Sequence, residues 1–400
     1  MIKLLLVFLL MGALLGRKAN LALTMLFSGL GLIFLFHIPF PEVLRQARLA
    51  AIGKDNLGLI GIMYLILVLE KSLRACGLFD RLLSSLRTVV PDRRVVMAAL
   101  PALIGFLPSF GGVLFSAPMV EEAALGSGVS RDKMAFINYW FRHIWEGVFP
   151  LYPSLLLASV LSAVSVPRLI SILWPVTAVS CLAGALVAFH HFPREEVEWR
   201  RPPIEALRDL FISLAPFLAV ILGVLLFHLN MPATILGVAL LILLLFKLPL
   251  REAATIFFQA WRWDVFFMIL SIFFFKGLLE ASDGIGQLAG FLTRSGIPLL
   301  GLVAILPLAI GFMTGMNAPY VAISFPILSP LLPPSHHAVL LAFAFVCGNI
   351  GCLISPTHSC LAMSHQYFGS SFGPTYRLMA VPVLAVAVTA LCIASPALFP

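Results

Sequence analysis

Three ionisable side chains crowd a stretch otherwise too apolar to carry them. The segment from Asn138 to Pro150, NYWFRHIWEGVFP, holds Arg142, His143 and Glu146. A bare charge at bilayer depth costs roughly 2.5–3.5 kcal/mol on insertion scales, so such residues either pair or work. On a continuous helix Arg142 and Glu146 are i,i+4 and share a face, and an ion pair is their simplest fate. The functional alternative makes Glu146 a carboxylate that gains and loses a proton, with Arg142 tuning it or clamping an anion. His143 points elsewhere on that helix and can join either arrangement. The helix meets a break at Gly147–Pro153, GVFPLYP, and resumes at Ser154.

A second constellation comes in two copies. Leu100–Pro118, LPALIGFLPSFGGVLFSAP, is echoed by Leu306–Pro326, LPLAIGFMTGMNAPYVAISFP. Leu100-Pro101 and Ile104-Gly105-Phe106 reappear as Leu306-Pro307 and Ile310-Gly311-Phe312, shifted by 206. Each arm is ~20 Å long as a helix, too short for a ~30 Å hydrocarbon core. Both stretches therefore read as re-entrant hairpins, tolerable at that depth only where protein or a watery cavity surrounds the break. Their tips offer Ser109, Gly111, Gly112, Thr314 and Asn317. The helix N-termini beyond the tips suit an anion, and carbonyl, Ser, Thr and Asn oxygens suit Na⁺. Small residues also let helices pack closely, but packing alone does not place breaks symmetrically. A further pair of breaks frees backbone groups at Pro150, Pro153 and Ser154, and at Ser355, Pro356, Thr357, His358 and Ser359.

Other titratable residues point to less. Lys71 and Lys276 match at a shift of 205 but lie near helix ends, where lysine snorkels. Glu121 and Glu122 fall at the base of the first hairpin and read as solvated. His358 and His365 are seven apart with no supporting carboxylate, so no metal site beyond Na⁺ is expected. Thr357-His358-Ser359-Cys360 lacks an oriented third group for nucleophilic catalysis. The six cysteines contain no CxxC pair and read as small buried hydrophobes.

The elements that must position these residues are membrane helices. The chain is 61% hydrophobic and 11% charged, against about 25% charged in soluble domains. Its 400 residues leave room for roughly ten crossings. The net charge of +8 sits in short loops between apolar runs, which sets membrane orientation and does not indicate nucleic acid. The predicted crossings are Ile2–Gly16, Leu21–Phe36, Leu57–Leu73, a broken helix from Met134 to Val164, and Leu169–Phe189. After the charged stretch Pro193–Pro203 come Leu207–Phe227, Ala233–Phe246, Val265–Leu279, a broken helix from Ala338 to His365, and Met379–Leu398. Surface helices are expected in His37–Asn56 and Gly77–Val90. The fold class is thus all-α and polytopic: about ten transmembrane helices, two re-entrant hairpins and two broken helices. The halves are 1–192 (hairpin 95–126) and 207–400 (hairpin 298–333), joined by a cytoplasmic linker at 193–206. Five crossings per half is odd, so the second copy must be inverted. Setting aside Lys71, Arg142 and Lys276, 17 Lys and Arg fall on one side and six on the other. The richer side is cytoplasmic by that measure, and both termini are then extracytoplasmic.

The hairpin segments GFLPSFGG and GFMTGMNAP and the breaks after Gly147 and Gly351 resemble the ion-transporter superfamily. That group includes divalent-anion/sodium symporters, citrate carriers, and arsenite or sodium–proton antiporters. Within it the chain looks most like an uncharacterised prokaryotic membrane family of unknown function. The resemblance implies substrate and ion sites at the hairpin tips and facing breaks, a homodimer, and an inner-membrane location. The Ser-Asn-Thr tip triplet of the dicarboxylate carriers is replaced here by Pro108-Ser109-Phe110-Gly111-Gly112 and Thr314-Gly315-Met316-Asn317. The expected function is secondary active transport of a small solute, an organic anion, coupled to Na⁺ or H⁺ without other cofactors. No Walker A sequence is present for ATP-driven transport. A sodium–proton antiporter is the alternative within the class, and a membrane-embedded enzyme the alternative outside it.

Overall fold

The first half of the chain folds into ten helices: α1 (Ile2–Gly16), α2 (Leu21–Phe36), α3 (Phe40–Ile52), α4 (Lys54–Ala75), α5 (Leu78–Val89), α6 (Arg93–Gly105), α7 (Gly112–Ala123), α8 (Arg131–Arg142), α9 (Pro153–Ser162) and α10 (Val166–Phe189). The second half repeats the order: α11 (Ile204–Leu225), α12 (Met231–Leu245), α13 (Leu250–Ala260), α14 (Trp263–Ala281), α15 (Gly284–Ser295), α16 (Leu299–Thr314), α17 (Asn317–Leu328), α18 (His337–Leu353), α19 (Ser359–Phe368) and α20 (Phe372–Leu398). This computed structural model describes residues 2–17, 19–106, 112–190, 192, 202–295 and 298–398, with no strand among them. The linker expected at Pro193–Pro203 and the first hairpin tip lie largely outside the described residues.

The two sets keep the shift of 206. It carries α5 onto α15 and α9 onto α19 at both ends. It also carries left-handed Gly77 (φ 65°) onto Asp283 (φ 53°), and Ala163 (φ 57°) onto Gly369 (φ 60°). An Asp and an Ala in the left-handed region are strained relative to glycine, so the turn geometry has been kept where the residue has not. The N-terminus of α8 fixes the sense of the two sets. Lys133 Nζ donates to the His190 carbonyl, 3.0 Å away, at the end of α10. Asp132 Oδ1 accepts from the Ser371 amide, at 3.0 Å, at the start of α20. Helices α10 and α20, counterparts in the repeat, therefore run in opposite directions.

Both hairpins return to the side they start from. Arg93, at the start of α6, donates from Nη1 to the Leu125 carbonyl at 2.6 Å, just past the end of α7. Arg87 joins Glu122 at 2.7 Å beside it. Asp92 caps α6, accepting from the Arg94 amide at 2.9 Å, and the Arg94 guanidinium that bonds it holds its carboxyl below the usual range. In the second hairpin, α15 before α16 packs on the 3₁₀ turn Ser329–Leu331 after α17. The tip is a single left-handed Gly315 (φ 60°) followed by extended Met316.

Apolar side chains cover the outside and polar ones the inside. Leu240, Leu241, Leu244 and Leu245 on α12, and Val381, Leu384, Val388 and Leu391 on α20, are exposed, while Asn138, Ser154, Ser324, Ser355 and Ser364 are buried. Such continuous apolar surface marks lipid rather than water as the surroundings. The chain is a polytopic helical membrane protein. Its crossings are less uniform than ten full-length rods. Among the described residues four spans are long and apolar enough to cross alone: Phe40–Ala75 (α3 with α4), α10, α11, and α20 to Ala397; a fifth, Leu250–Ala281 with Gly284–Phe291, is bent by 64°. The remaining apolar helices have 10–17 residues. Three elements differ from expectation. Helix α13 fills part of the connection between the predicted crossings Ala233–Phe246 and Val265–Leu279, α15 occupies a stretch with no predicted element, and α20 begins seven residues before Met379.

Glycine at the repeated Ile-Gly-Phe explains how the hairpins reach the interior. A Cβ on Gly105 would strike the Arg142 carbonyl at the end of α8, and one on Gly311 would strike the Gly348 carbonyl of α18. Gly348 lies face-on to the Tyr320 ring of α17, and Gly351 meets the Leu308 carbonyl. Hairpin and broken helix thus meet backbone to backbone in each half. Gly311→Val is expected to lower the thermal unfolding temperature in detergent, by overpacking that costs about 1–3 kcal/mol. Gly301→Val, where an added Cβ meets nothing within 4 Å, should leave it nearly unchanged; equal effects would refute the close-packing account.

Candidate functional site

Helix α8 stops earlier than its sequence suggests, at Arg142, and turns run through His143–Val148. Two causes act together. Pro150 and Pro153 cannot donate to the preceding turn, and each disfavours helical geometry in the residue before it. His143 Nδ1 also takes the Tyr139 carbonyl at 2.7 Å, the acceptor its own amide would have used. That amide bonds the Trp140 carbonyl instead, at 3.1 Å. The i,i+4 ion pair expected on a shared helix face is therefore corrected: Glu146 lies in the unwound segment, off the helix that carries Arg142.

Glu146 is buried and held by residues from both halves. The Tyr152 hydroxyl donates to Oε1 at 2.7 Å. Asn349 of α18 donates to Oε2 in a short hydrogen bond. The side chain of Asn317, first residue of α17, reaches the same carboxylate. Arg142 is close enough to Glu146 and to Cys360 to act on both electrostatically. Asn317 Oδ1 and Ser154 Oγ are buried oxygens with no hydrogen-bond partner among the described residues. A cavity of about 40 Å³, room for water-sized occupants, lies between the first break, α10, α18 and α20; His143, Glu146, Thr177 and Asn349 line it.

The second break is built to match. Pro356 interrupts the chain between α18 and α19. The Ser355 hydroxyl donates to the Phe312 carbonyl at 2.6 Å and lies 2.8 Å from Thr357 Oγ1. A Cβ on Gly315 would sit 2.6 Å from the His358 amide nitrogen, so the hairpin tip rests directly on this break. In the first half, Trp145 plays the corresponding part, donating from Nε1 to the Ala102 carbonyl of α6 at 3.0 Å. The freed carbonyls at the end of α18 are taken by tyrosines: Tyr139 donates to Leu353 at 2.9 Å and Tyr376 to Ile354 at 3.1 Å.

The predicted residues divide accordingly. Ser109 and Gly111 lie outside the described residues, and Gly112 is the buried first residue of α7. Thr314 turns its hydroxyl to its own chain, donating to the Ile310 carbonyl at 2.8 Å. Asn317, His143, Glu146 and His358 converge. Ser355 and Thr357 hold the second break, and Ser154 adjoins the first. Lys276 stands 3.9 Å from Glu280 near the end of α14. His365 does not join His358; its Nδ1 is 2.7 Å from Ser370 Oγ. His358 instead faces His143, Nε2 to Nε2, at 3.2 Å, with its Nδ1 3.2 Å from Cys352 Sγ. Their ligand atoms and that of Cys360 all lie within 4.8 Å of one another.

Sequence reasoning missed Asn349, Tyr152, Tyr139 and Cys360. A signal for Asn349 was present: it is the lone amide in the apolar run of α18, and it sits 206 residues after His143. The chain belongs to the family described as protein of unknown function (DUF401), which it matches over residues 4–395. No curated protein matches it.

Asn349→Leu and Glu146→Leu should each destabilise the protein by about 1–3 kcal/mol, since each strands a buried polar partner. The double variant should lose less than the sum, with a coupling of at least about 0.5 kcal/mol in a double-mutant cycle on unfolding. Strict additivity would dismiss the contact.

Proposed function

We propose that this protein is a secondary active transporter of the prokaryotic inner membrane, moving a small organic anion by alternating access in exchange with, or together with, Na⁺ or H⁺. One observation carries the reading. The buried carboxylate of the first half, Glu146, takes its hydrogen bonds from Tyr152 of its own break and Asn349 of the other half, and Asn317 at the second hairpin tip reaches it. A polar site shared by two halves of opposite sense can be offered to either side of a membrane when one half moves against the other.

The chemistry of the neighbours supports the choice of cargo. Arg142 brings a permanent positive charge beside the break. The N-terminus of α17 begins at Asn317, beside the same carboxylate, and the partial positive charge of a helix start favours a carboxylate or similar group there. The unpartnered oxygens of Asn317 and Ser154, with Glu146, suit a hard cation. In this reading Glu146 carries the coupling ion and the tips with Arg142 hold the anion. The end of the molecule bearing Arg87, Arg93 and Lys133 faces the cytoplasm, and a homodimer is the assembly the superfamily resemblance suggests. Sodium–proton antiport is the second reading, favoured by a carboxylate whose hydrogen-bond donors, Tyr152 and Asn349, are neutral.

Purified full-length protein in liposomes tests both. Under an inward Na⁺ or H⁺ gradient, labelled carboxylates should accumulate. Arg142→Ala and Asn317→Ala should each lower uptake by at least about tenfold, the equivalent of ~1.4 kcal/mol, while thermal melts confirm folding. Uptake unchanged in both variants would refute the site. A trapped pH dye that reports Na⁺-driven proton movement without solute, abolished in Glu146→Gln, would establish the antiport reading instead.

A further inference from the structure

Two imidazoles and a thiol meet at the junction of the halves, and the Nε2 atoms of the imidazoles and the Cys360 thiol have no part in the transport reading above. His143 comes from the first break, His358 and Cys360 from the second, and both histidines are buried. The hydrogen bonds assign the tautomer of His143. A carbonyl only accepts, so the 2.7 Å contact to Tyr139 puts the proton on Nδ1 and leaves Nε2 with a lone pair. That lone pair points at His358 Nε2, 3.2 Å away. Without a cation, one proton on His358 Nε2 must bridge the two nitrogens, with Cys352 donating its thiol hydrogen to His358 Nδ1. With a cation, the proton moves to Nδ1, which donates to Cys352 Sγ, and both Nε2 atoms are free to ligate.

We propose that His143 Nε2, His358 Nε2 and Cys360 Sγ form a site for one zinc-class transition-metal cation. The distances fit the chemistry. Two nitrogens bound at 2.0–2.1 Å to a tetrahedral zinc stand about 3.3–3.4 Å apart, close to the 3.2 Å seen here. With a Zn–S bond of about 2.3 Å the sulfur belongs about 3.6 Å from each nitrogen. One ligand atom from each residue already lies within 4.8 Å of the other two, so drawing the sulfur in to about 3.6 Å shortens a separation by about 1.2 Å at most. Cys360 is part-buried at the start of α19, where its side chain has room to make that movement. The Tyr139 carbonyl on His143 Nδ1 is the kind of outer partner that orients a ligating histidine. Nitrogen and sulfur donors select a borderline or soft cation and discriminate against Na⁺, Mg²⁺ and Ca²⁺. On binding, Cys360 releases its thiol proton and ligates as thiolate, and three ligands leave one position open. The site does not depend on the transport reading.

Tag-free full-length protein in detergent, stripped with chelator, is titrated with Co²⁺ as the optical probe and then with Zn²⁺. One Co²⁺ per chain should bind, with a thiolate-to-cobalt charge-transfer band that Zn²⁺ abolishes by displacement. Cys360→Ser should eliminate the band. Cys360→Ser, His143→Ala and His358→Ala should each weaken binding by more than about tenfold, the least that removing even an outer partner achieves. Cys392→Ser and His365→Ala are controls and should bind as the parent protein does. Metal-free melts separate misfolding from ligand loss, and Cys360→Ser, the mildest change, decides the matter should the histidine variants fail to fold. Failure of the parent protein to bind either metal, or a charge-transfer band that persists in Cys360→Ser, would overturn the proposal.

Discussion

Backbone that leaves the helix inside a lipid bilayer has no water to bond, and every freed amide and carbonyl must find protein. The rest of this structure follows from that constraint. The two breaks expose the carbonyls at the ends of α8 and α18 and the polar side chains between them. The structure answers with Tyr139 and Tyr376 on the carbonyls of Leu353 and Ile354 at the second break, while Ser355 and Trp145, from the two breaks, take the hairpin carbonyls of Phe312 and Ala102. Tyr139 belongs to the half opposite to the carbonyl it satisfies. The second break is thus satisfied in part from the opposite half, and this junction is also where the polar side chains collect.

Packing makes that meeting possible. Glycines at 105, 311, 348 and 351 let the hairpins approach the broken helices backbone to backbone. The approach brings Gly315 onto the His358 amide and Asn317 to Glu146. Helices α9 and α17 pack together, as do α7 and α19, so each hairpin's returning arm lies against the resumed helix of the opposite half. Local close packing and exchange between halves thus produce one shared interior.

Much of this was legible in the residues. Helices α1 and α2 have the bounds that their apolar runs predict, and the Ile-Gly-Phe repeats mark the hairpins, because helix length in lipid and glycine's lack of a side chain are local facts. The site was legible only in part. Arg142, His143 and Glu146 announce themselves by being ionisable in an apolar run. Their arrangement does not, since the end of α8 depends on a histidine ring competing for a carbonyl. Asn349 and Cys360 are ordinary residues until the fold sets them beside partners some two hundred positions away.

The sequence by itself determined the solvent of this protein, the repeat of its Ile-Gly-Phe segments and the presence of breaks at the prolines that follow Gly147 and Gly351. Composition, apolar run length, spacing and proline act over a few residues, and no distant partner alters them. Only the tertiary structure decided that Glu146 answers to Asn349 rather than to Arg142 along a helix, and that His358 faces His143 rather than sharing a helix face with His365. Those pairings arise from two chain segments laid against each other in opposite senses. Their register is set by close contacts between backbones, which no single segment encodes.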